Sequence, residues 1–237
     1  MSTQELPQIV ATSTGGTNYE PCPAGNHVAR CVSMVHIGTI EENYQGETKF
    51  ANKVRLTWEL PNERKVFHEE KGEQPYVLSK DFTLSMHEKA NLRKALESWR
   101  GKAFTEKEAE AFNITVLLGK PCMLNVIWKE KKDGNMRADI AGITAMPKGI
   151  PCPPQENPTT IFTINSPDWD MFDTLPDFLK GKIRESNEFK AMLKANVPVS
   201  SAKSFPDQKV QEPANAPEDL FAEPGESITT ESSEPLF

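Results

Sequence analysis

The segment KVRLTWEL, residues 53–60, alternates strictly between polar and apolar side chains. Successive side chains of a β-strand point to opposite faces, so the apolar members would share one face and the polar members the other. The apolar face would consist of Val54, Leu56, Trp58 and Leu60. The pattern predicts a strand of an antiparallel sheet with one packed face and one face in water.

Further segments have the composition of strands, at residues 27–40, 76–84, 121–132 and 135–146. Residues 41–52 join the first two strands as a long hairpin turn. The dipeptide Asp133-Gly134 lies between the last two segments, and Asp-Gly between alternating runs is a strong hairpin signal. The sequence therefore predicts three strands before residue 85 and two strands after residue 120.

Between these two groups the apolar period changes to that of a helix. Ser85 and Glu88 have the spacing of a capping box, and Gly101 is placed to end the helix. A second capping box at Thr105 predicts a short helix through Phe112. The apolar stripe of the first helix would consist of Leu92, Ala95, Leu96 and Trp99, and the basic residues beside it are Lys89, Arg93 and Arg100.

Three strands, helices and two strands are the element order of the OB-fold, a five-stranded Greek-key barrel. We expect a mainly β chain with an OB-fold-like domain over residues 22–150, preceded by a flexible arm over 1–21. Residues 151–196 predict a Pro-rich linker and a helical extension with one or two short helices. The extension either packs on the barrel, which is the favoured interpretation, or binds a partner.

The net charge of −7 is confined to the end of the chain. Residues 211–237 contain seven acidic residues and no Lys or Arg, and the other 27 acidic residues balance the 27 basic ones. A block of one charge sign is typical of an interaction tail. We therefore expect a disordered acidic tail over 197–237, which ends on the apolar pair Leu236 and Phe237.

No catalytic or metal-binding motif is present. The four histidines lie singly, and Cys22, Cys31, Cys122 and Cys152 form no C-x-x-C pair, so free thiols are favoured over zinc ligands or disulfides. The chain is predicted to be no enzyme and to need no metal or cofactor. It also lacks a signal peptide and the roughly 18 consecutive apolar residues of a membrane helix, so a cytoplasmic protein without membrane contact is expected.

Aromatic and basic residues alternate along the predicted hairpins. Proteins that bind single strands without reading sequence hold phosphates in a basic groove and stack bases on aromatic rings. We predict that these elements border one groove, although Phe82 and Trp128 share strand faces with apolar residues and could instead lie in the core. The candidate DNA-binding residues are Tyr44, Lys49, Phe50, Lys53, Arg55, Lys80, Phe82, Trp128, Lys129, Lys131, Lys132 and Arg137.

The basic and aromatic hairpins, the Pro-rich linker and the acidic end together resemble the single-stranded DNA-binding proteins of bacteria and tailed phages, in their phage version. The matching tail residues are Glu218, Asp219, Glu223, Glu226, Glu231, Glu234, Leu236 and Phe237. The segment from Tyr76 to Trp128 is also similar to phage and prophage proteins found among replication and recombination genes. The resemblance implies a tail that docks on replication or recombination proteins through its final Phe, and a place in the bacterial host cytoplasm.

The leading hypothesis is a non-enzymatic binder of single-stranded DNA that recruits such proteins, chiefly through Glu231, Glu234, Leu236 and Phe237. The alternative is a protein-interaction adaptor with the same fold, in which the basic residues are only the solvated faces of strands. A nuclease would need a metal cluster that the sequence does not contain. Homo-oligomerisation stays open.

Overall fold

A computed structural model describes residues 20–44 and 46–195. The predicted acidic tail and most of the predicted N-terminal arm lie outside these residues. Two short 3-10 helices, Glu69–Lys71 and Ile114–Leu117, accompany the main elements. The strands are β1 (Gly25–Tyr44), β2 (Glu47–His68), β3 (Gly72–Thr83), β4 (Pro121–Glu130), β5 (Met136–Thr144) and β6 (Thr160–Thr163). The helices are α1 (Asn91–Arg100), α2 (Glu106–Glu110), α3 (Trp169–Thr174), α4 (Asp177–Arg184) and α5 (Asn187–Lys194).

The first five strands form a nearly closed antiparallel barrel in the order β3-β2-β1-β4-β5. β1 is long enough to pair with two neighbours: its first residues pair with β4 and the rest pair with β2. The remaining gap lies between β3 and β5, where Lys80 Nζ donates a hydrogen bond to the carbonyl oxygen of Ile140 at 2.5 Å. The predicted mainly β, OB-fold-like five-stranded barrel is confirmed.

The alternating face of β2 forms the centre of the barrel core. Val54, Leu56, Trp58 and Leu60 are all buried, as the alternation predicted. The Trp58 ring lies 6.0 Å from the ring of Trp99, so α1 closes one end of the same core. Burial of this face stabilises β2 in the barrel, because each large apolar side chain removed from water contributes about 1.5 to 3 kcal/mol.

The start of α1 differs from the prediction. The helix begins at Asn91 after Ala90, so the capping box at Ser85 is wrong. Ser85 Oγ instead accepts a hydrogen bond from the backbone N–H of His87, and this local turn competes with helix formation. The other two helix signals are confirmed, since Thr105 forms a capping box with Glu108 and Gly101 ends α1 in the left-handed conformation.

The C-terminal extension packs on the barrel, as the favoured interpretation of residues 151–196 predicted. β6, which the sequence did not predict, adds to β1 in parallel next to Ser33–His36. Three helices follow instead of one or two, and they bury a second core against the outer face of β1. The second core consists of Val35, Ile37, Phe162, Ile164, Phe172, Leu175, Leu179, Ile183 and Phe189.

Three cysteines are buried and Cys152 is half-buried, and all four are free thiols. Burial raises the pKa of Cys22 and of Cys31 to about 12, which keeps both thiols protonated at neutral pH. Within residues 20–44 and 46–195, no three or more His, Cys, Asp or Glu side chains gather as a metal site would require. No helix in this part of the chain is long and apolar enough to cross a bilayer.

Candidate nucleic-acid interface

A basic groove of about 870 Å³ lies where β3, β5 and the start of α1 meet. Four lysines line it: Lys53 from β2, Lys80 from β3, Lys89 from the turn before α1, and Lys94 from the first turn of α1. We call this feature the lysine groove. Asp81 is the one carboxylate among the described residues that line it, so the lining carries an excess of positive charge.

The four lysines differ in whether the ammonium group already interacts with another group of the protein. Lys53 Nζ lies 2.8 Å from a carboxylate oxygen of Glu42, and Lys80 bonds the carbonyl of Ile140. Lys89 and Lys94 are exposed, and neither forms an ion pair with a carboxylate in the described part of the chain. These two side chains are therefore available to an anionic ligand without breaking an existing ion pair.

Asp81 connects the groove to the C-terminal extension. Its carboxylate accepts a hydrogen bond from Arg55 Nη1 at 2.5 Å and one from Lys182 Nζ of α4 at 2.6 Å. Burial alone would raise the pKa of Asp81, but the bond from Lys182 and the charges of Arg55 and Lys182 outweigh it, so the pKa is lowered. The ionised carboxylate thus holds α4 against the edge of the groove.

Replacing Asp81 with asparagine should lower the free energy of unfolding at pH 7 by about 1 to 2 kcal/mol, because two charged hydrogen bonds are lost from a half-buried site. A carboxyl with a lowered folded-state pKa stabilises the fold above its unfolded pKa of about 3.9 and loses that contribution as the pH falls through the folded pKa. The difference between the two proteins should therefore shrink toward pH 3. Urea unfolding at both pH values measures it; a difference that grows in acid would contradict this role.

The structure gathers only part of the predicted binding set in the lysine groove. Lys53 and Lys80 line it, and Arg55 lies at its edge, where Asp81 already binds the guanidinium. Phe82 also lines the groove, but it is only 4% exposed and packs in the barrel core, so too little of its ring is open to stack on a base. We therefore remove Phe82 from the candidate interface, since it points inward between the outward-facing residues of β3.

The first hairpin carries three predicted residues beyond the barrel. Tyr44 pairs through its backbone with Glu47 at the turn. Lys49 lies 3.1 Å from Glu47, and Phe50 is 62% exposed. Phe50 thus presents an open aromatic face to solvent.

The last hairpin carries the remaining predicted residues. Trp128 is 50% exposed because β1, the neighbour of β4, begins opposite Val126 and no longer covers residues beyond it. The Trp128 Nε1 donates to the carbonyl of Cys22 at 2.8 Å, which fixes the ring. Lys129 forms an ion pair with Asp139, and the other basic residues of this hairpin, all exposed, are Lys131, Lys132 and Arg137.

The two hairpin turns lie at opposite ends of β1. Tyr44 is the last residue of β1 and pairs with Glu47, whereas Gly25 at its start pairs with Val126 of the last hairpin. None of the residues that line the lysine groove comes from either turn. The lysine groove is therefore not the single groove expected from the sequence, because its lining comes from β2, β3, β5, α1 and the segment that precedes α1.

Sequence reasoning missed the residues that complete the groove. Lys89 was noted beside the helix, but Lys94 was not, although both lie outside the apolar stripe of α1. The other two members of the noted basic cluster are structural, since Arg93 binds Glu97 and Glu106 and Arg100 binds Glu108. The spacing of basic residues along the sequence does not show whether a given Arg or Lys is paired with a carboxylate or exposed to solvent.

Comparisons with known proteins do not extend this description. No protein-family model matches the chain, and no curated protein matches it.

Proposed function

We propose that this protein binds single-stranded DNA without reading its sequence, with the phosphates in the lysine groove. The observation that carries the proposal is the pair of exposed lysines, Lys89 and Lys94, beside Lys53 and Lys80 on an OB-fold-like barrel. OB-folds commonly bind oligonucleotides, and a basic groove that follows the backbone is the usual means of holding a single strand.

The local cluster of lysines in the groove supports the proposal better than the net charge of the chain does. Residues 1–210 are neutral overall, so long-range attraction to DNA is weak. Each phosphate that a lysine neutralises nevertheless releases bound counterions, and this gain is local. We therefore expect moderate affinity with a strong dependence on salt concentration.

The acidic tail gives the second half of the proposal. By resemblance to phage single-stranded DNA-binding proteins, we propose that Glu231, Glu234, Leu236 and Phe237 dock on replication or recombination proteins. Acidic residues steer a tail toward a basic partner, and a terminal aromatic ring with its carboxylate offers an anchor for a pocket next to Arg or Lys. In this proposal the protein is a non-enzymatic coating and recruiting factor in a phage-infected or prophage-carrying cell.

One observation favours the second candidate, a protein-interaction adaptor without direct DNA binding. Several basic residues on the barrel already have carboxylate partners, among them Lys49 with Glu47, Lys129 with Asp139, and Arg55 with Asp81. On an adaptor these pairs would be ordinary solvated surface, worth little to stability. The adaptor would use its acidic tail and have no use for the lysine groove.

Replacing Lys89 and Lys94 with glutamine should weaken binding to a fluorescein-labelled oligo-dT by about tenfold at low salt, because two phosphate contacts are lost. The slope of log K against log salt should decrease by about 1.4, since each contact with a single strand contributes about 0.7. Fluorescence anisotropy at several salt concentrations measures both quantities.

The matched control replaces Lys102 and Lys107, two exposed lysines that do not line the groove, and it should leave affinity and slope nearly unchanged. A chain that ends at Val210 should still bind, because the groove does not need the tail. Equal losses in the two double variants would mean that only overall charge matters. Absence of binding by the unaltered protein at low salt would favour the adaptor.

A further inference from the structure

The side of α4 that faces the sheet edge carries an aromatic ring that the second core does not use. Leu179 and Ile183, one helical turn apart, are buried in that core. Phe178 is 56% exposed. More than half of the Phe178 side chain is therefore accessible to a ligand.

Arg55 supports the inner face of this ring. The guanidinium carbon of Arg55 lies 5.2 Å from the centre of the Phe178 ring, within the range of a cation–π contact. Arg55 is itself fixed by Asp81, its cross-strand partner on β3. The ring therefore has one face against a fixed cation, and more than half of its surface remains open to solvent.

The same helical face ties the ring to the lysine groove. Lys182 follows Phe178 by four residues and so lies on the same side of α4. Its Nζ bonds Asp81, which lines the groove, at 2.6 Å. Phe178 and Lys182 thus lie over the cross-strand pair Arg55 and Asp81, so the ring stands at the edge of the groove.

We propose that Phe178 stacks on a nucleobase of the strand whose phosphates lie in the lysine groove, so that the C-terminal extension forms part of the DNA interface. This inference rests on the proposed function. A nucleotide joins an anionic phosphate to a flat apolar base, and the lysines and the ring offer the matching chemistry side by side. Every base has an aromatic face, so stacking here is tolerant of sequence.

Replacing Phe178 with alanine should weaken binding to oligo-dT by about fivefold or more, since one stacked base is lost. Binding to an abasic oligonucleotide of the same length should change little, because that ligand has phosphates but no bases. Phe178→Trp should retain affinity for oligo-dT, and its added indole fluorescence should be quenched on binding oligo-dT and not on binding the abasic strand. Leu193→Ala, at a residue of α5 that is 52% exposed, is the matched control and should behave like the unaltered protein.

Three results would overturn the inference. Unchanged oligo-dT affinity in Phe178→Ala, with salt-dependent abasic binding retained, would remove the stacking role and leave the lysine groove as the DNA site. An equal loss on both ligands would show that the substitution acts through the phosphate contacts. If the unaltered protein bound neither ligand at low salt, the proposed function and this inference would fail together.

Discussion

Replacing Trp58 with alanine should lower the free energy of unfolding by about 3 to 5 kcal/mol, as is typical when a large aromatic residue is removed from a core. Trp58 is fully buried, and its ring contacts Trp99 of α1 at a centroid distance of 6.0 Å. The cavity would separate the sheet from the helix that closes the barrel. Guanidinium unfolding followed by far-UV circular dichroism measures the loss.

The matched variant is Trp58→Phe. Trp58 Nε1 is buried and has no hydrogen-bond partner in the part of the chain that the structure describes. Phenylalanine leaves a smaller cavity than alanine does, and it also removes this unpaired N–H, whose burial is unfavourable. The loss of unfolding free energy should therefore be less than half of that in Trp58→Ala. Equal unfolding midpoints for Trp58→Ala and the unaltered protein would contradict the assignment of Trp58 to the centre of the core.

Replacing Gly38 with valine should lower the free energy of unfolding by about 2 to 5 kcal/mol, a large loss for a residue outside the barrel core. Gly38 has a φ of 96°, where a side chain costs about 1 to 2 kcal/mol of backbone strain. A Cβ there would lie 2.7 Å from Glu188 Oε2 and 2.9 Å from Ser186 Cβ, so overpacking adds about 1 to 3 kcal/mol. Glu188 of α5 also accepts hydrogen bonds from the backbone N–H and the Oγ1 of Thr39. Displacing Glu188 would break these bonds, so we expect α5 to detach from β1.

Hydrogen exchange and limited proteolysis detect this change as loss of protection in residues 160–194 with the barrel still protected. Gly149→Val is the control, since Gly149 has a φ of 82° but no atom within 4 Å of its added Cβ. The control should show the cost of backbone strain alone. Similar losses of protection in the two variants would contradict a specific contact between β1 and α5.

The parts of the fold that sequence predicts are those fixed by local patterns. The alternation that buries Trp58, the Asp133-Gly134 turn and the end of α1 at Gly101 each depend on neighbouring residues. β6 could not be predicted this way, because its four residues pair with a segment of β1 that is 127 residues away in sequence. The start of α1 was missed because Ala90 provides no side-chain cap.

The candidate site was predicted less completely because tertiary structure assembles it. Strand alternation does not tell which face of β3 is inside, so Phe82 could be assigned to either face. The lysine groove joins side chains from β2, β3 and α1, and no spacing in sequence brings Lys53 next to Lys94. Phe178 is a large apolar residue in a segment rich in apolar residues, so the sequence does not distinguish it from a core residue. Only the orientation of α4 shows that it is exposed.

The sharing of β1 between two cores has a consequence for synthesis on the ribosome. β1 to β5 are complete by Thr144, before β6 and the three helices of the extension have been translated. In that nascent chain the outer face of β1, with Val35 and Ile37, lacks the helices that cover it in the finished protein. We expect an apolar strip on the nascent barrel that a chaperone can bind, and docking of the extension as the last step of folding.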